Sequence, residues 1–91
     1  MDKFTVLLSS QAGKYCMKVN KKTVNLLTDC FKYLEENPFY HPAGKIKKLK
    51  GQSLYRFRVG NLRIVYEINE LSREATVHLI LSCGDAYRKI D

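Results

Sequence analysis

The chain has 91 residues, 45% of them apolar, with 16 Lys and Arg against 9 Asp and Glu and a formal net charge of +7. That length suits one domain spanning residues 1–91 with a modest core and is too little for two, and the apolar share makes a folded globular domain the expectation rather than disorder. The positive balance favours an anionic partner: nucleic acid, an acidic protein or an anionic membrane surface.

The opening segment, MDKFTVLLSSQAGK, carries Asp2 and has too short an apolar run for a signal peptide. No stretch approaches the roughly 20 apolar residues that span a bilayer. A soluble, cytoplasmic protein with no membrane partner is expected. Lys3 to Leu8 reads as a first strand. Ser9 or Ser10 then offers an N-cap, and Ala12, Tyr15, Cys16 and Val19 recur at helical spacing on one face. Asn20-Lys21-Lys22 interrupts the pattern. A second helix is predicted from about Thr23 to Glu36, with Val24, Leu27, Phe31 and Leu34 as its apolar stripe and Cys30 alongside. Asn37-Pro38 ends it, because the residue before proline avoids helical geometry. The two segments form a helical hairpin.

FYHPAGKIKKLKGQS reads as a loop carrying a charge run of Lys45, Lys47, Lys48 and Lys50. Three strands follow, at Leu54 to Val59, Leu62 to Ile68 and Ala75 to Ser82. Gly60-Asn61 suits a two-residue hairpin turn that needs positive φ. Glu70 to Arg73 makes a looser turn, and Gly84 lets the closing CGDAYRKID bend away. The order is β-α-α-β-β-β. The predicted fold is α+β, with a mainly antiparallel four-stranded sheet on the helical hairpin and one sheet face left open.

Strand parity follows from pairing across the turns. Val59 opposite Leu62 brings Phe57 to Ile64 and Tyr55 to Tyr66. Across the second turn, Ile64 meets Leu79, Tyr66 meets Val77 and Ile68 meets Ala75. Every partner is apolar or aromatic, and a slip by one residue would bury charges. The open face then holds Leu54, Arg56, Arg58, Arg63, Val65, Glu67, Thr76, His78, Ile80 and Ser82. Arg58 lies directly across from Arg63, a destabilising arrangement on a sheet. A phosphate polyanion resting on the guanidinium groups accounts for it, and a solvated basic face is the competing account.

The three cysteines, Cys16, Cys30 and Cys83, are far apart and form no C-x-x-C pair, as reduced and mostly buried thiols would be. His41 and His78 complete no zinc-ligand spacing. No metal or cofactor is expected.

KIKKLKGQSLYRFRVGNLRIVYEI (Lys45 to Ile68) resembles the central region of the RelE/ParE toxin superfamily of prokaryotic toxin–antitoxin systems. The likeness lies in KLKG, in the YR-x-R-x-G strand, in the Arg63-Ile64-Val65-Tyr66 strand and in a tyrosine after a late glycine. YLEENP and the opening strand, Ser, x-x-Ala extend it over nearly the whole chain. The resemblance implies a toxin held by a cognate, RelB-like antitoxin. RelE-type members are endoribonucleases that cut messenger RNA, usually on the ribosome. ParE-type members share the fold, lack the nuclease residues and poison DNA gyrase, which is the alternative reading.

Carried over by position, the resemblance implies catalytic roles for Arg56, Arg58, Arg63 and Tyr87, the tyrosine stacking on a base. Lys50 matches a basic residue of the loop before the second strand, and Lys45, Lys47, Lys48 and Arg88 are further candidate RNA contacts. Metal-free cleavage needs a base for the 2′-OH, cations for the phosphorane and a donor for the leaving 5′ oxygen. Arginine stays protonated and is a poor base. Lys48, Lys50, Glu67, His78 and His41 remain as candidates for that role. CGDAYRKID departs from the nuclease pattern: Asp85 stands where a basic residue is common, and the segment is short. Arg88 and Lys89 restore positive charge beyond Tyr87.

Overall fold

The computed structural model describes residues 3–49 and 53–82. Lys50, Cys83, Gly84, Asp85, Tyr87, Arg88 and Lys89 therefore lie outside the described residues. The elements are β1 (Thr5–Leu8), α1 (Ser10–Lys18), α2 (Lys21–Glu36), β2 (Ile46–Lys48), β3 (Leu54–Val59), β4 (Leu62–Asn69) and β5 (Glu74–Ser82). They form one five-stranded sheet in the order β1-β5-β4-β3-β2. β1 runs parallel to β5 and the other pairs are antiparallel.

The helix starts are set by side-chain caps. The Ser9 hydroxyl accepts from the Ala12 amide at 3.2 Å, and the Asn20 side chain accepts from Thr23 at 2.9 Å. α2 thus begins at Lys21, two residues ahead of the predicted start, because Asn20 serves as a cap rather than as part of a linker. It ends at Glu36, before Asn37-Pro38. Leu27, Cys30 and Leu34 of α2 and Ala12 of α1 are buried against Phe57, Ile64, Tyr66, Val77 and Ile80 of the sheet. Two tyrosine hydroxyls then hold the loop after α2: Tyr66 donates to the Pro38 carbonyl and Tyr33 to that of Tyr40. The Tyr66 side chain is fully buried, so this bond satisfies a hydroxyl that water cannot reach.

That loop leads into the fifth strand, which the sequence reading took for part of a loop. Ile46 pairs with Phe57, Lys47 with Arg56 and Lys48 with Tyr55. The strand has three residues and two of them are exposed lysines, so only Ile46 carries the apolar signal.

The β3–β4 register is the expected one, with Val59 opposite Leu62, Phe57 opposite Ile64 and Tyr55 opposite Tyr66. Gly60 takes φ +57 at the first turn position, as a two-residue hairpin requires. The β4–β5 register agrees at Ile68–Ala75 and Tyr66–Val77 and then departs. Val65 faces Leu79 and Ile64 faces Ile80, so His78 is one extra residue, a β-bulge. The expected Ile64–Leu79 pair is therefore wrong, and the parity of β5 reverses beyond His78. Ile80 is fully buried and Leu79 is 41% exposed. Ile80 and Ser82 belong to the helix-facing parity, while Leu79 and Leu81 take their places on the open one.

The physical reason lies in α1. β1 ends opposite Val77, and the backbone of β5 beyond that point needs other partners. The first turn of α1 supplies them. Ser9 Oγ donates to the His78 carbonyl at 2.7 Å. The Gln11 side chain brackets Ile80, donating to its carbonyl at 3.3 Å and accepting from its amide at 3.1 Å. VHLILS has apolar residues at both parities from Leu79 onward, so the sequence pattern carries no mark of the switch.

Two outcomes test this packing. Ile80→Ala should cost about 2–5 kcal/mol in urea unfolding, and Leu79→Ala less than about 1 kcal/mol; an unbulged strand would reverse that order. Burial, reinforced by the Asp29 carboxylate, pushes the Cys30 thiol up from 9.0 to about 11. Between those values the unfolded chain releases a proton that the folded chain keeps. Stability should therefore fall as pH rises from 9.0 to about 11, and Cys30→Ala should flatten that slope in unfolding curves taken across this range.

Candidate nucleic-acid interface

The face of the sheet turned away from the helices is built by alternation. Arg56 and Arg58 are two apart on β3 and project to the same side, as do Arg63, Val65 and Glu67 on β4. Arg58 stands directly opposite Arg63. Arg56 has Val65 on one side and Lys47 of β2 on the other. Lys47, Arg56, Val65 and Leu79 thus form one row across four strands, and Arg58, Arg63 and Leu81 form the next. Directly opposed side chains on a sheet start about 5 Å apart at Cβ, so four cations crowd two adjacent rows.

No acid among the described residues pairs with these arginines. The ion pairs there are Lys3–Glu36 at 3.1 Å on the surface and Glu67–His78 at 3.0 Å. Arg58 is exposed, whereas Arg56 and Arg63 are half-buried. The Arg63 Nε is enclosed and makes no hydrogen bond.

Beside the arginines lies a carboxylate–imidazole pair. His78 Nε2 is 3.0 Å from Glu67 Oε1, with the two side chains 42% and 49% exposed. An ionised carboxylate only accepts, so the ring donates from Nε2 in this contact. Both side chains line a concave surface together with Ser53 and Leu54. Glu67 faces Leu54 across β3, which makes it the diagonal neighbour of Arg56.

The sequence-predicted residues divide as follows. Arg56, Arg58, Arg63, Glu67 and His78 come together on the open face, and Lys47 joins them. Lys48 pairs with Tyr55 and has the opposite parity. Lys45 borders a groove on the helix side with Asp29, Tyr33 and His41. His41 is also on that side: its ring packs on Tyr33 and Phe57 at 4.8 and 5.8 Å, and its Nδ1 accepts from Ala43 at 3.0 Å. That makes His41 a loop brace, and it leaves the two histidines on opposite faces of the sheet. Lys50, Tyr87 and Arg88 lie outside the described residues. The grouping of Lys47 with Arg56 escaped the sequence reading, although the alternation of Lys45, Ile46 and Lys47 was a faint sign of a strand.

No protein-family model matches the chain, and no curated protein matches it. Solved structures do. The archaeal RelE–RelB complex from Pyrococcus horikoshii matches with a TM-score of 0.79 at 22% identity, over 90% of this chain and 97% of that one. The fold is RelE-like. The RelB–RelE antitoxin–toxin complex from Methanococcus jannaschii gives 0.70 at 22% identity, covering 93% and 99% of the two chains. The isolated RelE toxin of E. coli gives 0.73 at 18%, covering 97% and 99%. The RelE-like fold thus extends over nearly the whole chain, and the basic rows occupy the sheet face that this fold leaves free of its two helices.

If the arginines carry a cost to the free fold, easing the repulsion should show it. Arg58→Gln should leave stability unchanged or raise it by up to about 1 kcal/mol at low salt, and added salt should shrink the difference. Thermal unfolding at two ionic strengths measures this; a loss above about 1 kcal/mol would reveal a structural role for Arg58 instead.

Proposed function

We propose that this chain is the toxin of a type II toxin–antitoxin system and an endoribonuclease that cuts messenger RNA, acting at the ribosome. The observation that carries the reading is the cluster of Arg56, Arg58 and Arg63 on the open face of a RelE-like sheet, with which no acid among the described residues pairs. Cleavage proceeds by attack of a ribose 2′-OH on the adjacent phosphorus, a route for which the protein itself supplies the cations. The substrate phosphate rests on the two basic rows. Arg63 and Arg56 take the non-bridging oxygens through paired N–H donors, and their hold strengthens as charge builds in the phosphorane. The sheet fixes their spacing before substrate arrives, so little reorganisation is needed at the moment of reaction. Lys47 and Arg58 extend the basic track toward flanking phosphates. Lys45, Lys48, Lys50 and Arg88 add to the positive field, and Tyr87 stacks on a base beside the scissile bond.

An antitoxin of the RelB kind is the partner under this reading. The structural neighbours from P. horikoshii and M. jannaschii are complexes of RelE with RelB. An acidic segment that folds onto the basic face would screen the arginines and occlude the phosphate position.

Mapping new RNA 5′ ends after induction in cells tests the proposal. Cuts inside translated codons are expected from the wild type and none from the Arg56→Ala/Arg58→Ala/Arg63→Ala variant. Arg56→Ala or Arg63→Ala alone should slow cleavage by ~10²-fold or more. Growth arrest without new ends would reject the nuclease and favour a ParE-type toxin acting on gyrase.

A further inference from the structure

We propose that His78 is the base that removes the 2′-OH proton and that Glu67 is its positioning residue. This deepens the nuclease reading above and rests on it. Of the candidate bases, Lys48 has the wrong parity, His41 braces a loop behind the sheet and Lys50 lies outside the described residues. Arginine keeps its proton at any working pH. His78 and Glu67 stand on the open face, joined at 3.0 Å.

Three observations converge on His78. The bulge is the first. His78 is the residue that β5 inserts into its ladder, and such insertions re-aim a side chain. Its backbone is then tied down by the Ser9 hydroxyl at 2.7 Å, so the displaced position is held rather than loose. The second is the Glu67 contact. The carboxylate can only accept, so Nε2–H donates to it and the ring is oriented with Nδ1 as the atom for a substrate proton. The third is the concave surface of Ser53, Leu54, Glu67 and His78, which gives a ribose room beside the imidazole. β3 and β5 flank β4, so their backbones lie about 10 Å apart. That span suits a nucleotide with its phosphate on Arg56 and Arg63 and its ribose toward His78.

The step balances as follows. Nδ1 of His78 accepts the 2′-hydroxyl proton while the oxygen forms a bond to phosphorus. The arginines hold the charge of the five-coordinate phosphorus. The bond from phosphorus to the 5′ oxygen breaks with its electron pair on that oxygen, which takes a proton from water. The imidazolium returns its proton to the hydroxide left behind. The products are a 2′,3′-cyclic phosphate and a 5′-hydroxyl end.

Among the described residues, the charged groups sharing this face are Glu67 and Arg63 on β4, Arg56 and Arg58 on β3, Lys47 on β2 and Glu74 on β5; β1 adds Thr5 and Leu7, which do not titrate. Because the base must be neutral, the wild-type rate should fall toward acid as the imidazole takes a proton. The test is single-turnover cleavage of a message on purified ribosomes, at saturating full-length protein, across pH. His78→Gln should lose ~10²-fold or more and show no acid limb. Glu67→Gln should lose ~10-fold or more and keep the limb, since its amide oxygen still accepts from Nε2 but carries no charge toward the imidazolium. Arg56→Ala should also be slow and keep the limb. The His78 and Glu67 side chains are about half exposed, and unfolding midpoints close to wild type would confirm intact folds. A His78→Gln protein with the wild-type rate and pH profile would overturn the inference and leave the nuclease standing. A wild type that cuts nothing would remove both.

Discussion

One extra residue in β5 sets the geometry of the molecule. Along β4 the side chains alternate without interruption, and β5 sets Ala75, Val77 and Ile80 opposite Ile68, Tyr66 and Ile64. Insertion of His78 reverses the parity of β5 halfway along. Ala75 and Val77 point to the helices before the bulge and Ile80 after it. The insertion breaks the ladder, and the fold absorbs the break with two polar side chains from the adjoining helix. Ser9 bonds the His78 carbonyl and caps α1 with the same oxygen. Gln11 offers Ile80 the donor and acceptor that a longer β1 would have offered. Helix start, strand end and bulge are therefore one linked feature.

The two faces of the sheet obey different physics. The helix side is ordered by apolar burial and by hydroxyls with carbonyl partners, including the Tyr66 and Tyr33 bonds that hold the loop before β2. That loop delivers Ile46 to the core and, by alternation, Lys47 to the row of Arg56. On the open side the ion pair among the described residues is Glu67–His78, and the arginines there have none. Arg58 and Arg63 face each other because the backbone register places them there. A rigid sheet can hold like charges close only when the opposite face supplies enough burial to set the register. The concentrated field is then available to an outside anion without further rearrangement.

The RelE-like fold gives that field a setting. Its two helices cover one face and leave the other free, so basic residues at alternate positions of β3 and β4 have nowhere else to project. The Glu67–His78 pair occupies the margin of the same face.

The sequence by itself determined the element types, the β3–β4 register and the arginine cluster. Those follow from local rules: period-2 alternation in LYRFRV and LRIVYEI, a glycine at the hairpin turn, a serine cap at Ser9 or Ser10, and a proline after α2. Tertiary structure decided what local rules leave open. β2 exists because Ile46 finds a pocket and β3 has a free edge, while its lysines read as a solvated loop. Leu79, Ile80 and Leu81 are all apolar, so their pattern names no inner face; the end of β1 and the side chains of Ser9 and Gln11 choose it. That choice places His78 beside Glu67, because the position of a bulge is set by hydrogen bonds to a segment some 70 residues away, beyond the reach of any local pattern.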